Sequence, residues 1–216
     1  MCFNPEVSIT TYIVGIIGCI LLILNNDVNF IPQAIFFIWV IHMQLIEFFL
    51  WKNQPCNQMN KNISIIGMII NNMEPIILWL AIIIFSDKKL PTWIHLIMAL
   101  YLIASFYISY KSYTDNKTSC TTVTPESSPH LNWKWNEGNI FTNIFYIFFL
   151  LVCVLLSIYG LSYGMVMAFI FLLSFFASFL IYGKSHSVGA MWCFIAAFVP
   201  IVLPFICKIP ILQNLK

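Results

Sequence analysis

The sequence contains no Arg and has few charges of either sign. Only 8% of its 216 residues are charged. With 61% hydrophobic residues, a soluble fold would have too few polar groups to cover its surface. The net charge of +2 is also too small to favour a nucleic-acid partner. The composition therefore argues against a soluble globular domain and against a nucleic-acid-binding protein.

The sequence also lacks the complete motifs of known membrane enzymes and light-driven pumps. A retinal protein needs a Lys in the middle of its last span, whereas Lys208 lies at the very end of it. The four His are scattered, unlike the His and Asp cluster around zinc in seven-helix hydrolases of the ceramidase type. We find no metalloprotease helix motif, nucleophile elbow or phosphate-binding loop. We therefore expect no cofactor, although a metal stays open.

Long apolar stretches make up most of what is present. A run of about 18 or more apolar residues can cross the roughly 30 Å hydrocarbon core of a bilayer as a helix. Seven such runs predict an all-α bundle of seven transmembrane helices, with residues 1–216 forming one integral membrane domain. The predicted spans are residues 7–25, 30–51, 63–86, 91–110, 139–160, 163–183 and 187–207.

Local signals mark the start of the first span and a bend in the last one. Asn4 is suited to cap a helix, Pro5 to its first position, and Glu6 to its first turn, where the helix dipole favours an acid. Pro200 and Pro204 fall inside the seventh run, and a proline within a helix removes a backbone hydrogen bond. We expect these prolines to bend the half of the span nearer to the C-terminus.

Small residues recur at four-residue spacing in three of the spans. Such a face lets another helix approach closely, so tight helix packing is the expected role. The small residues are Gly15 and Cys19 in span 1, Gly164 and Ala168 in span 6, and Gly189, Cys193 and Ala197 in span 7.

One long connection, residues 111–138, joins the fourth and fifth spans. It contains Thr, Ser and two Pro, and it ends near the cluster Trp133-Lys134-Trp135. Because Trp beside Lys is typical of a membrane–water interface, the cluster predicts an interfacial belt and not a separate domain.

Charge, cysteine and sequon positions bear on the orientation of the spans. Six Lys lie on the side of the N-terminus and four on the other side, which favours a cytoplasmic N-terminus. Cys56 and Cys120, however, both fall in connections on the N-terminal side, and a disulfide between them needs an oxidising compartment. The N-x-S/T sequons at Asn62 and Asn116 fall on the same side and indicate possible glycosylation. On balance we favour an N-terminus outside.

Span 2 carries a stripe of polar side chains. At 100° per residue, Gln33 and Gln44 differ by about 20° around the helix, and Gln44 and Glu47 by about 60°. Trp51 lies one turn beyond Glu47 on nearly the same face. Ionisable groups inside a membrane usually face the bundle interior, so the stripe is a candidate pathway for an ion or solute. The alternative is that these groups hydrogen-bond neighbouring helices and only specify packing.

Span 3 carries Asn71 and Glu74 one turn apart, beside Pro75. The proline is expected to kink the helix at mid-depth, which resembles a transport-site arrangement. Counting about 1.5 Å per residue from the outer ends, His42 and Glu74 lie within roughly 5 Å in depth, so they could pair. His42 would then tune or relay, while Gln44 and Asn71 would orient the ligand. The alternative is a buried His–Glu hydrogen bond that merely locks spans 2 and 3 together.

A second set of groups collects near the expected outer surface. Thiol, imidazole and carboxylate groups together could bind a soft or borderline metal, although their spacing matches no motif. Dipole complementarity for Glu6 and an interfacial loop position for His186 are the alternatives. This outer cluster comprises Cys2, Glu6, Gln44, Glu47, Trp51, His186, Trp192 and Cys193.

Three short elements belong to one known pattern. The chain opens with Met-Cys-Phe, its second span has Gln-x-x-Glu followed by Trp four residues later, and its last span has Trp-Cys. In these elements it resembles a poorly characterised polytopic membrane family that begins Met-Cys-Phe-Ser. The resemblance implies a shared seven-helix architecture and points to the outer cluster, but it implies no reaction. The matching residues are Met1, Cys2, Phe3, Gln44, Glu47, Trp51, Trp192 and Cys193, and the departures are Asn4, Ile9 and Phe48.

Three classes of function stay open on the sequence. We favour passage or binding of a small ion or solute, a proton among the candidates, through a polar core of spans 2, 3 and 7, with Glu47 and Glu74 as titrating groups. The second class is an intramembrane enzyme, metal-assisted or not, at the outer cluster. The third is a receptor-like or scaffolding protein whose polar groups only specify packing. The expected partners are the lipid bilayer and a small ion or solute, and a homo-oligomer stays open.

Overall fold

The computed structural model describes residues 4–25, 27–114, 120–124, 129–136, 140–182 and 188–208. These residues form eight α-helices, a hairpin of two very short strands, and two 3-10 turns. The all-α prediction is confirmed apart from that hairpin. The helices are α1 (Pro5–Leu24), α2 (Ile31–Lys52), α3 (Gln58–Phe85), α4 (Thr92–Thr114), α5 (Ile140–Gly160), α6 (Gly164–Tyr182), α7 (Val188–Ala196) and α8 (Val199–Ile206), and the strands are β1 (Thr122–Val123) and β2 (Leu131–Asn132).

Among the described helices, α1 to α6 are each long and apolar enough to cross a membrane. α7 and α8 pass the same test only together, as a pair bent by 53°. The chain is therefore a multi-pass helical membrane protein. The bend in the last predicted span is confirmed, and it falls just before Pro200, which occupies the first turn of α8.

Capping side chains explain where the helices begin. The Asn4 side chain accepts a hydrogen bond from the backbone N–H of Val7 at 2.8 Å, as the sequence predicts for the start of α1. The Asn57 side chain accepts from the backbone N–H of Asn60 at 2.8 Å, so α3 begins at Gln58 and not at residue 63. α4 likewise continues to Thr114, beyond the predicted end at residue 110.

Contacts between connections define the two ends of the bundle. We call the end at which α1 begins the N-terminal face. At the other end, the opposite face, the Ser162 hydroxyl donates to the Asn29 side chain at 2.6 Å. There too, the Ser86 hydroxyl donates to the carbonyl oxygen of Gly160 at 2.8 Å. The connections that follow α1, α3 and α5 therefore meet at the opposite face.

The small residues of α1 let the bent pair α7–α8 approach closely. A Cβ on Gly15 would lie 2.8 Å from the Ile41 side chain and 3.1 Å from the carbonyl oxygen of Ala197. A Cβ on Gly18 would lie 2.7 Å from the Ile201 side chain. The tight packing predicted for Gly15 is confirmed. Because Gly15 meets Ala197, just before α8, and Gly18 meets Ile201 within it, α1 and α8 run side by side in the same direction.

A covalent bond and a buried polar network attach the long connection to the bundle. Cys120 forms a disulfide with Cys56, with the two Cα atoms 5.3 Å apart, which confirms the predicted pairing. The carbonyl oxygen of Thr121, which is fully buried, accepts from the Gln54 and Asn60 side chains at 3.0 Å each. β1 and β2 then pair antiparallel. We call residues 120–124 and 129–136 the cap.

The tryptophans of the cap lie inside the protein and not in a belt around it. Trp133 and Trp135 stack with ring centroids 5.1 Å apart and are only 2% and 6% exposed. Gly67 makes room for them, because a Cβ there would lie 3.2 Å from the Trp135 ring. The interfacial-belt prediction is therefore wrong. The cause is the attachment at Cys120 and Thr121, which holds the connection over the helices.

Candidate ion-binding site around Glu74

Glu74 is a fully buried carboxyl within the span that α3 forms. Its side chain has no solvent exposure. Among the described residues, neither carboxylate oxygen has a hydrogen-bond partner. Burying a polar group without a partner costs free energy, and ionisable residues inside membranes usually serve a function. Glu74 is therefore the centre of the candidate site.

Three side chains from two other helices lie near this carboxyl. Tyr101 of α4, and Tyr146 and Cys153 of α5, lie within electrostatic range of Glu74. The Tyr101 hydroxyl donates to the carbonyl oxygen of Asn72 at 2.8 Å. The site therefore joins α3, α4 and α5, whereas the sequence points to spans 2, 3 and 7.

Side chains of α2 and α4 attach to α3 on either side of the Asn71 carbonyl, which Pro75 leaves without a backbone donor. A proline has no N–H to offer to the carbonyl four residues earlier, which weakens the backbone ladder there. Side chains of α2 and α4 bond to carbonyls of this turn: the Trp39 indole N–H donates to Ile70 at 2.8 Å, and Tyr101 donates to Asn72. α3 remains one helix through Pro75. These bonds fix the depth of Glu74 relative to α2 and α4.

A small cavity with a mixed polar and apolar lining lies on the N-terminal side of Glu74. Its volume is about 20 Å³, which is enough for one water molecule. The amides of Asn71 and Asn72 and the Tyr146 side chain line it, and the Trp135 ring of the cap lines it as well. Glu74 is not one of the lining residues, but it follows Asn71 by one turn, about 5 Å along α3. A water molecule in this cavity would lie between the cap and the carboxyl.

His42 does not pair with Glu74. Its Nδ1 atom lies 2.6 Å from the carbonyl oxygen of Ile38 in the same helix, and its ring packs edge-on against Tyr12 of α1. The Asn60 side chain donates to the carbonyl of Asn53, so these two residues lie at the same level at the N-terminal end of α3 and the C-terminal end of α2. Counted from this level at about 1.5 Å per residue, His42 and Glu74 lie within about 5 Å of each other in depth. The predicted depth agrees with this, but the predicted pairing is wrong because His42 turns toward α1.

The polar stripe of α2 faces the bundle interior. Gln33, Gln44 and Glu47 are fully buried, and Trp51 is half-buried. Counting from the same Asn53–Asn60 pair, Glu47 lies about 12 Å nearer to the N-terminal face than Glu74. The two carboxyl groups therefore belong to different levels of the bundle.

The outer cluster is only partly described, because Cys2 and His186 lie outside the described residues. Glu6 is exposed in the first turn of α1. Trp192 is buried inside the bundle, where its indole N–H donates to the Ser174 hydroxyl at 3.0 Å. Cys193 is also buried. No group of three or more potential metal ligands occurs among the described residues. A metal at the outer cluster stays a prediction.

No protein-family model, curated protein or solved structure matches this chain. The candidate site consequently rests on its own geometry.

Tyr101, Tyr146 and Cys153 were not among the predicted residues of the site. One signal was available for the two tyrosines, since a phenol in a membrane span needs a hydrogen-bond partner. The same signal does not reveal which helix supplies that partner. Cys153 carried no signal, because a cysteine in an apolar run behaves as a small hydrophobic residue.

The two sequons have different positions relative to the described structure. Asn62 is exposed on α3, where its side-chain oxygen accepts from Gln58 at 3.0 Å. The Ser64 hydroxyl of the same sequon is buried and lies 2.9 Å from the Thr121 hydroxyl. Asn116 lies outside the described residues. Glycosylation at either position stays a prediction.

Proposed function

We propose that this protein binds protons at Glu74 and passes them across the membrane. One observation carries the proposal: a fully buried carboxyl, without a hydrogen-bond partner among the described residues, lies one turn from a water-sized cavity that Asn71 and Asn72 help to line. The cavity volume of about 20 Å³ fits one water molecule and is too small for an organic solute or a hydrated metal ion. A proton can move through such a site along hydrogen bonds.

Further buried polar groups support a route on both sides of Glu74. Toward the N-terminal face lie Asn71 and Tyr146, with Glu47 as a second proton-holding group nearer to that face. Toward the opposite face lie Gln33 and Ser157, both fully buried and without hydrogen-bond partners among the described residues. Each group offers a donor or an acceptor to a passing proton or water molecule.

We further propose seven spans with the N-terminal face outside the cytoplasm. α8 runs beside α1, and Cys207 after its end lies within electrostatic range of Asp27 at the opposite face. This favours α7 and α8 as one broken span and not a re-entrant loop. The Cys56–Cys120 disulfide lies at the N-terminal face, and structural disulfides persist in oxidising compartments.

Proton passage is tested with purified protein in vesicles that enclose a pH-sensitive dye. A pH step is applied outside while K⁺ and valinomycin dissipate any membrane potential. We expect the internal pH to relax faster than in protein-free vesicles, for either direction of the step. Relaxation at the protein-free rate in both directions would refute the function.

Orientation is tested by labelling intact cells with a membrane-impermeant maleimide. Cys56 is exposed, whereas the four described cysteines outside the disulfide are buried. In a Cys2→Ser background, which removes the thiol at the start of the chain, we expect labelling that requires prior treatment with an impermeant reductant and that disappears when Cys56→Ser is added. Labelling that requires permeabilised cells would place the N-terminal face in the cytoplasm.

A further inference from the structure

A wide cleft separates α4 from α5 in the half of the membrane nearer to the N-terminal face. Its volume is about 560 Å³, within the range of small-molecule binding pockets. α4 is the least buried of the six long helices, with 22% of its most apolar segment buried. Because both helices cross the membrane, the cleft opens sideways toward lipid and not toward water.

The charged and short polar side chains of the lining lie at one end of the cleft. Lys111 and Ser112 line it in the last turn of α4, and Thr142 lines it in the first turn of α5. Ala104 and Phe148 line its deep end. From Lys111 to Ala104 the cleft follows α4 for about 10 Å. One end thus carries a cation at the level of lipid headgroups, and the other is lined by hydrocarbon.

We propose that this cleft binds one anionic glycerophospholipid from the surrounding leaflet. The lipid phosphate pairs with the Lys111 ammonium group near the membrane surface, where basic residues attract anionic headgroups. One acyl chain runs inward along Ile108 toward Phe148. A phospholipid has the same order of charge and hydrocarbon along its length as the cleft, and the leaflet presents it in that orientation.

The same lipid would also form part of the wall of the Glu74 site. Ile108, Ser112, Thr142 and Phe145 line both the cleft and the small cavity beside Asn71. An acyl chain in the cleft therefore separates that cavity from the remaining lipid. The binding proposal is independent of proton passage, because bound lipid is measured without any flux.

The test is native mass spectrometry of protein released from nanodiscs that contain equal amounts of phosphatidylglycerol and phosphatidylcholine with identical acyl chains. We expect retention of one phosphatidylglycerol. Lys111→Gln should lower its preference over phosphatidylcholine about fivefold, the factor that corresponds to about 1 kcal/mol per Lys near a membrane surface. Lys61→Gln removes the same charge from an exposed position at the same face and should leave the preference unchanged.

A second variant tests the deep end of the cleft. Ala104→Phe places a ring in the path of the acyl chain and should abolish retention of either lipid. Equal retention of both lipids by the unaltered protein would overturn the proposal, as would equal losses in Lys111→Gln and Lys61→Gln. A dimer that Ala104→Phe converts to monomers would also overturn it, because a second copy of the chain would then occupy the cleft.

Discussion

Proton flux in vesicles that contain Glu74→Gln is expected to fall to the rate of protein-free vesicles. Gln has nearly the same shape as Glu, but its amide cannot take up and release a proton in the relevant pH range. The stability of the folded protein should not fall, because the carboxyl that is lost has no hydrogen-bond partner among the described residues. Flux is measured by the internal dye, and stability by thermal unfolding in detergent.

Glu6→Gln is the matched control for this variant. It makes the same chemical change at an exposed position in the first turn of α1, where an acid only complements the helix dipole. We expect full flux in this control. Glu47→Gln should slow the flux without abolishing it, since Glu47 lies about 12 Å nearer to the N-terminal face. Normal flux in Glu74→Gln would remove Glu74 from the route.

The depth of polar groups in the membrane could be predicted from the sequence, but the neighbouring helix that each group faces could not. A helix advances by a constant rise per residue, so counting from the ends places His42 and Glu74 at nearly the same level. The rotation of each helix about its axis depends on how its side chains pack against its neighbours. In α2, packing against Tyr12 turns His42 toward α1, and the side chains around Glu74 come from α4 and α5 instead.

The cap shows a second limit of sequence reasoning. The pairing of Cys56 with Cys120 could be predicted because both lie in connections on one side of the membrane. The position of Trp135 could not, because it depends on that disulfide and on the Thr121 network. Local composition alone favours an interfacial belt for this segment.

Gly164→Ala is expected to destabilise the protein strongly, because the added methyl group meets backbone atoms. A Cβ at this position would overlap the carbonyl oxygen of Ser157 and lie 2.7 Å from the Cα of Ile158. Both atoms belong to the last turns of α5, so relief requires moving that helix end. Overpacking costs about 3 kcal/mol, which corresponds to about 10 °C in melting temperature for a chain of this length. The sequence predicts close packing at Gly164, but the surface that it contacts belongs to the adjacent helix end.

Gly67→Ala is the control that separates backbone overlap from a general effect of adding a methyl group. A Cβ there would meet only side chains, 3.0 Å from Ile46 and 3.2 Å from Trp135. These can shift, and Ala gains about 1 kcal/mol over Gly in a helix, so the melting temperature should change little. An equal fall in melting temperature in the two variants would show that contact with side chains, and not overlap with the backbone, causes the loss at both positions. An unchanged melting temperature in Gly164→Ala would show that the turn between α5 and α6 yields to the methyl group, and the close approach would then contribute nothing to stability.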